Sequence, residues 1–225
     1  MDNSRTEKLL GSENLKKIGQ KYVTIVGCGG VGGYTAVFLA RAGVQNFKLI
    51  DFDKVSPSNV NRQAIAFAST IGKVKVDLLK DMILDINKDA SVTAVNERLT
   101  KDNVSSLIDK TDIVVDAIDQ TRDKLALILY CKKNNINIIS AMGAGNRYDN
   151  PNFVLTDVYK THDDGLAKVL RKGLREAGID SLDVVISTSK PVKVSGAIAS
   201  ISYYPPACGA TIASSVINMI IDGKI

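Results

Sequence analysis

YVTIVGCGGVG, residues 22–32, is the stretch on which the fold turns. Tyr22 to Val26 is a short apolar run rich in β-branched residues and reads as a buried strand, and Gly27, Gly29, Gly30 and Gly32 follow at once. Glycine lets the backbone turn sharply and approach a ligand, while the free N–H groups at a helix start attract anions. A tight turn without a ligand is the plainer alternative. Against it stands Asp51, which ends the next apolar run about 20 residues on, where a carboxylate hydrogen-bonds ribose hydroxyls. Gly27, Gly29, Gly30, Val31, Gly32 and Asp51 together read as a nucleotide site.

Working outward, further strands are expected at Phe47 to Asp51, Val92 to Asn96, Ile113 to Ala117 and Ile136 to Ser140, all short and apolar as buried parallel strands are. Helices separate them, after the glycine turn, over Lys73 to Ile86, Asp102 to Ile108 and Thr121 to Lys133. After Pro151 come a strand (Phe153 to Val158), a helix (Gly165 to Ala177), a strand (Val184 to Ser187), extended chain around Ala197 to Tyr203 and a last helix. Pro205 and Pro206 are expected to hold extended chain just ahead of that helix. The fold class is α/β, a Rossmann-like, mostly parallel sheet with helices on both faces. We expect one unit over residues 1–225, with 1–150 as a nucleotide-binding half and 151–225 as a sheet extension.

Composition bounds the rest. With 225 residues, 45% hydrophobic and 24% charged, the chain suits one sizeable core. Its longest apolar stretch, Ala210 to Ile221, is interrupted by serines and Asn218 and falls short of the ~20 residues of a membrane span. The first residues carry no apolar signal segment, which points to a cytoplasmic protein. Cys28, Cys131 and Cys208 lie far apart without paired spacing, so no zinc site is expected. His162 is the only histidine, which disfavours Ser/His and Cys/His nucleophiles. The net charge of +5 permits an anionic partner.

A glycine turn and an acid suit NAD as readily as ATP. The segments after Asp51 discriminate: Asp53, then Ser58-Asn59-Val60-Asn61-Arg62-Gln63, then Gly72-Lys73-Val74-Lys75. Cleaving ATP at the α-phosphate demands cations, and Arg62 and Lys75 are suitable in type. Either alone would more readily be a solvated surface charge.

These segments, with Val115-Asp116-Ala117-Ile118-Asp119, resemble the superfamily of ubiquitin-activating enzymes and the bacterial enzymes that adenylate sulfur-carrier proteins. The resemblance implies that Arg62 and Lys75 contact phosphates, that Asp53, Asn59, Asn61 and Gln63 belong to the nucleotide site, and that Asp119 meets ATP-bound Mg2+. Within the superfamily the chain is similar to the tRNA threonylcarbamoyladenosine dehydratase group. The marks are Ser4 to Gly11, Asp119 to Leu127, Ser140 to Asn146, Tyr159-Lys160-Thr161, Asp164 to Ala167 and Pro205-Pro206. That likeness implies ATP-dependent adenylation of a threonyl carboxylate on tRNA, followed by ring closure with loss of AMP. It further implies a homodimer in which Arg5 reaches the partner's ATP, a monovalent cation and an optional sulfur-transfer protein partner. Adenylation of a ubiquitin-like carrier and a nicotinamide oxidoreductase are the alternatives.

Lys168, Arg171, Lys172 and Arg175 recur at helical spacing opposite Leu166, Leu170 and Leu174. Such a stripe suits tRNA phosphates as well as it suits an ordinary solvated helix face.

Overall fold

A computed structural model describes residues 1–196 and 198–225. Seven strands form one sheet: β1 (Tyr22–Val26), β2 (Asn46–Ile50), β3 (Ser91–Val95), β4 (Ile113–Asp116), β5 (Asn137–Ala141), β6 (Phe153–Asp157) and β7 (Asp183–Ser187). Their spatial order is β3-β2-β1-β4-β5-β7-β6, with every pairing parallel except β6 against β7. The order reverses at β1 and β4, and in such sheets ligands bind beyond the strands' C-terminal ends at that point.

Alternation along the strands feeds two cores. Val23, Ile25, Phe47, Leu49, Val115 and Ile139 face a layer containing α2 (Ser12–Gln20), α3 (Gly32–Ala42), α4 (Lys75–Ile86) and α8 (Tyr204–Ile221). Val26, Ile50, Val114, Ile138 and Val184 face α5 (Val104–Leu107), α6 (Thr121–Lys133) and α7 (Gly165–Glu176). Both faces of the sheet are therefore covered, as its apolar strands require. Gly209 sits where α8 crosses α3, and a Cβ there would lie 2.8 Å from Val31 O.

Several sequence expectations change. The chain's start forms α1 (Ser4–Leu10) as well as α2, neither of which hydrophobic periodicity picks out. The helix expected from Lys73 starts at Lys75, and that expected over Asp102 to Ile108 shortens to Val104–Leu107. Pro205 and Pro206 do not precede the last helix in extended chain. They occupy its first turn, where a missing N–H costs nothing, and α8 begins at Tyr204. Of the extended chain expected over Ala197 to Tyr203, Ala197 lies outside the described residues. Residues 198–201 form no strand, and Ser202 and Tyr203 turn into α8. The segment from 188 to 203, here called the strap, leaves β7 and enters α8, and a buried hydrogen bond of 2.8 Å between Ser187 Oγ and Tyr204 Oη joins its ends.

Candidate nucleotide site

β1 delivers the chain into the glycine turn. Gly27 has φ +93°, and a Cβ there would lie 2.6 Å from Ala117 O at the end of β4. At Gly32, the first residue of α3, a Cβ would lie 1.9 Å from Gly27 O, so glycine is required. Asp51 braces this turn. Its Oδ2 accepts the Cys28 N–H at 2.6 Å and its Oδ1 accepts the Asp53 N–H at 2.8 Å. Burial raises the Asp51 carboxyl above its ordinary range, opposed by those amides and by Lys75. The sequence suggested a ribose contact for Asp51; the structure gives each of its oxygens a backbone partner, although the residue does line the cleft.

The segment 56–63 folds over the N-terminus of α3. Asn59 is buried, and its Oδ1 accepts the Ser56 N–H at 3.0 Å, which fixes the short turn Pro57–Asn59. The turn carries Arg62 to the glycines, so that a Cβ at Gly30 would lie 3.3 Å from Arg62 O. Arg62 Nη1 donates to Ser58 O at 2.8 Å and Asn61 Oδ1 at 2.9 Å. Gln63 is buried, and its Oε1 has no partner among the described residues. Lys75, at the start of α4 and only 4% exposed, donates to Asp53 Oδ2 at 2.7 Å. A buried ammonium facing a half-exposed carboxylate is a charge that a phosphate oxygen can share.

The opposite side rests on a buried ion pair. Lys124 Nζ, in α6, lies 3.0 Å from Asp116 Oδ2 and donates to Asp116 O at 3.3 Å and Ile118 O at 3.1 Å. Asp116 also accepts from Ser140 Oγ at 2.8 Å and the Ile118 N–H at 3.2 Å. The turn 116–118 is thereby pinned against Gly27, and exposed Asp119 continues into the cleft. Nearby, Arg98 donates through Nε to Asp123 Oδ2 at 2.8 Å and places its guanidinium 5.5 Å from the centre of the Phe52 ring.

The far wall is Gly143 to Arg147. Arg147, 5% exposed, donates to Gly143 O, Gly145 O and Ser189 O at 2.9, 3.1 and 2.8 Å. Asp164 accepts the Gly143 N–H at 3.1 Å and caps α7 by accepting the Ala167 N–H at 2.9 Å. Gly165 follows as the first residue of α7.

These walls enclose a cleft of about 900 Å³. Gly27, Gly29, Gly30, Val31, Asp51, Asp53, Asn59, Arg62, Gln63, Lys75 and Asp119 all line it. Gly32 sits behind them in α3. Asn61 is exposed and outside the lining; its Nδ2 donates to Ser200 O in the strap at 3.0 Å. Arg5 is exposed on α1, also outside the lining. Of the basic stripe, Lys168, Lys172 and Arg175 are exposed on α7, with Arg175 5.2 Å from the Tyr159 ring centre. Arg171 instead donates to Thr161 O at 3.0 Å and to Thr161 Oγ1, tying α7 to the preceding loop.

Sequence reasoning missed Lys124, Arg98, Asp123, Arg147 and Asp164 as a supporting set. None carried a sequence signal; Lys124 itself ends the polar run Thr121 to Lys124 and looks like an ordinary first-turn charge. The cysteines are all buried, and burial pushes the thiols of Cys131 and Cys208 up to about 12 and that of Cys28 well up. Among the described residues no helix is long and apolar enough to cross a membrane.

Cations on one wall, a glycine turn at a helix start and an exposed carboxylate on the lining suit a nucleoside triphosphate. Known proteins with this framework agree. The chain is 40% identical over 193 residues to the tRNA threonylcarbamoyladenosine dehydratase of Bacillus subtilis, covering 85% of this chain and 76% of that protein. It is 38% identical over 171 residues to the Escherichia coli protein of the same name, covering 76% of this chain and 64% of the relative. The structure matches that of the E. coli tRNA N6-threonylcarbamoyladenosine dehydratase TcdA in complex with ATP. The TM-score is 0.92 at 32% identity, over 98% of this chain and 94% of the other. The E. coli MccB complex with ATP, 20% identical at a TM-score of 0.70 over 98% of this chain and 64% of that one, shares the fold. The ThiF family model spans residues 2–222, and the chain belongs to the ThiF family.

Proposed function

We propose that the chain is an ATP-dependent tRNA threonylcarbamoyladenosine dehydratase. The observation that carries this reading is the convergence of Gly27 to Val31, Arg62, Lys75 and Asp119 on one cleft. Its framework aligns over nearly the whole chain with a dehydratase in complex with ATP. Adenylation of a ubiquitin-like carrier uses the same nucleotide chemistry. One adenylyltransferase relative, the E. coli molybdopterin-synthase adenylyltransferase, is 36% identical over 58% of this chain.

The threonyl carboxylate oxygen attacks the α-phosphate, the bond to the β-phosphate breaks and pyrophosphate leaves. Arg62 and Lys75 face the charge that develops there, inside a cleft whose buried walls strengthen it. A nitrogen of the substrate's own carbamoyl group then attacks the acyl carbon, its proton is lost, and AMP departs. No protein nucleophile is needed, since intramolecular attack supplies the proximity. Mg2+, when bound with ATP, would neutralise phosphate charge. It requires one or two carboxylates besides phosphate oxygens and water, and exposed Asp119 fits that demand. Arg5 on exposed α1 is suited to reach a second protomer's nucleotide, and the exposed Lys168, Lys172 and Arg175 of α7 are suited to tRNA phosphates.

The test is to incubate the protein with threonylcarbamoyladenosine-bearing tRNA, ATP and Mg2+ and to weigh the nucleoside. Loss of one water with AMP release is expected; an unchanged nucleoside mass refutes the reading.

A further inference from the structure

Two buried polar atoms on the cleft lining have no partner among the described residues: Gln63 Oε1 beside the glycine turn, and Ser200 Oγ in the strap. A buried hydroxyl without a partner is costly, and in a native fold such a group calls for a ligand or an ordered water. The position of Ser200 narrows the choice. Its carbonyl accepts the Asn61 amide at 3.0 Å, and Asn61 Oδ1 in turn holds Arg62 Nη1 at 2.9 Å. Ser200 is thus two hydrogen bonds from the guanidinium expected to meet the phosphates, on the same cleft, and the Arg62 backbone packs on Gly30.

The strap's placement is fixed independently. The Ala199 N–H donates to Asn146 Oδ1 at 2.7 Å, and the Asn146 N–H donates back to Ala199 O at 2.8 Å. These bonds moor the strap to the far wall while Asn61 moors it to the phosphate wall, so Ser200 hangs between them. Its carbonyl is engaged by Asn61, and its hydroxyl has no partner among the described residues.

We propose that Ser200 is a nucleotide-contacting residue whose hydroxyl donates to a phosphate oxygen of bound ATP, and that Asn61 is the positioning residue that sets Ser200 and Arg62 together. The inference rests on the ATP-cleft reading and adds to it a donor from the strap. It also gives Asn61 a role outside the cleft: one amide, both of whose ends are used, registers the strap against the arginine.

The test uses the full chain and measures ATP·Mg affinity by calorimetry beside the Tm of the nucleotide-free protein. In Ser200→Ala the backbone bond to Asn61 is kept and an unpartnered hydroxyl is removed. Tm is therefore expected to hold or rise, whereas ATP affinity falls about tenfold, the loss of one hydrogen bond to a charged group. Ser200→Thr keeps the hydroxyl and is expected to keep affinity. Asn61→Ala is expected to weaken ATP binding by a similar factor through Arg62 and the strap. If Ser200→Ala binds ATP as wild type does, an ordered water satisfies the hydroxyl and the proposal is overturned. A fall in Tm that tracks the affinity loss would make Ser200 a structural residue and equally overturn it. If wild type itself fails to bind ATP, the adenylating reading falls first, and this one with it.

Discussion

Lys124 Nζ and Asp116 Oδ2 meet 3.0 Å apart with both side chains fully buried, directly beneath the turn that leads to Asp119. A buried pair of this kind is unforgiving when halved. Lys124→Met should cost about 3–5 kcal/mol, because it leaves an unpaired buried carboxylate and frees Asp116 O and Ile118 O. Adding Asp116→Asn should recover part of the loss by removing the stranded charge. Urea unfolding of the two variants checks both statements.

Arg62 makes its hydrogen bonds to Ser58 and Asn61 on the outside of the core. Arg62→Ala should therefore leave Tm nearly unchanged while AMP formation from tRNA substrate slows by about 10²-fold or more, the scale of losing one preorganised donor at developing charge. Single-turnover assays beside a thermal melt separate the two effects.

Two glycines offer a contrast within the chain. An alanine Cβ at Gly32 lands 1.9 Å from Gly27 O, so Gly32→Ala must displace the nucleotide turn and should abolish the ATP-induced rise in Tm. Gly72 has φ +85° but open space around it, so Gly72→Ala should cost only the left-handed strain, about 1–2 kcal/mol, and keep that rise.

Asp51 has a carboxyl raised by burial, so the folded state holds its proton more tightly than the unfolded chain does. Its contribution to stability is complete below the ordinary value of 3.8 and is lost as pH rises through the raised one. The stability of Asp51→Asn minus that of wild type should accordingly increase with pH across this acidic window and then level off. Denaturant titrations at closely spaced pH values would reveal an opposite slope if the carboxyl were instead depressed.

On α7, Lys168 and Lys172 are exposed and Arg171 is engaged with Thr161. Lys168→Glu with Lys172→Glu should weaken tRNA binding and lower the steepness of its salt dependence, with ATP affinity intact. Arg171→Ala should act first on Tm. Filter binding over a salt series tests the pair.

Much of the framework was legible because it rests on local periodicity. Tyr22–Val26 needed no adjustment, and the other strands shifted by a residue or so at their ends. α1 escaped because it buries nothing, and α2 because it is short and Ile18 is its only buried residue. The last helix extends further toward the N-terminus than expected because Pro205 and Pro206 suit a first turn as well as they suit extended chain. On the cleft lining, Gly27, Gly29, Gly30, Arg62 and Lys75 come from contiguous motifs that a sequence displays directly. Arg98 with Asp123, Arg147 with Asp164 and Lys124 with Asp116 do not, since each pair joins separate elements and only the folded sheet brings its members together.

The bond between Ser187 and Tyr204 has a consequence for how such a chain can diversify. Between those clasped ends the strap is held by individual hydrogen bonds to Arg147, Asn146 and Asn61 rather than by pairing with a strand. Doubling a loop's length costs only about 0.6 kcal/mol in closure entropy. Insertions among the exposed residues 193–196 can add new surface beside the cleft while the bonds of Ser189, Val192 and Ser200 keep their register, which makes that stretch the natural place to graft a new substrate preference.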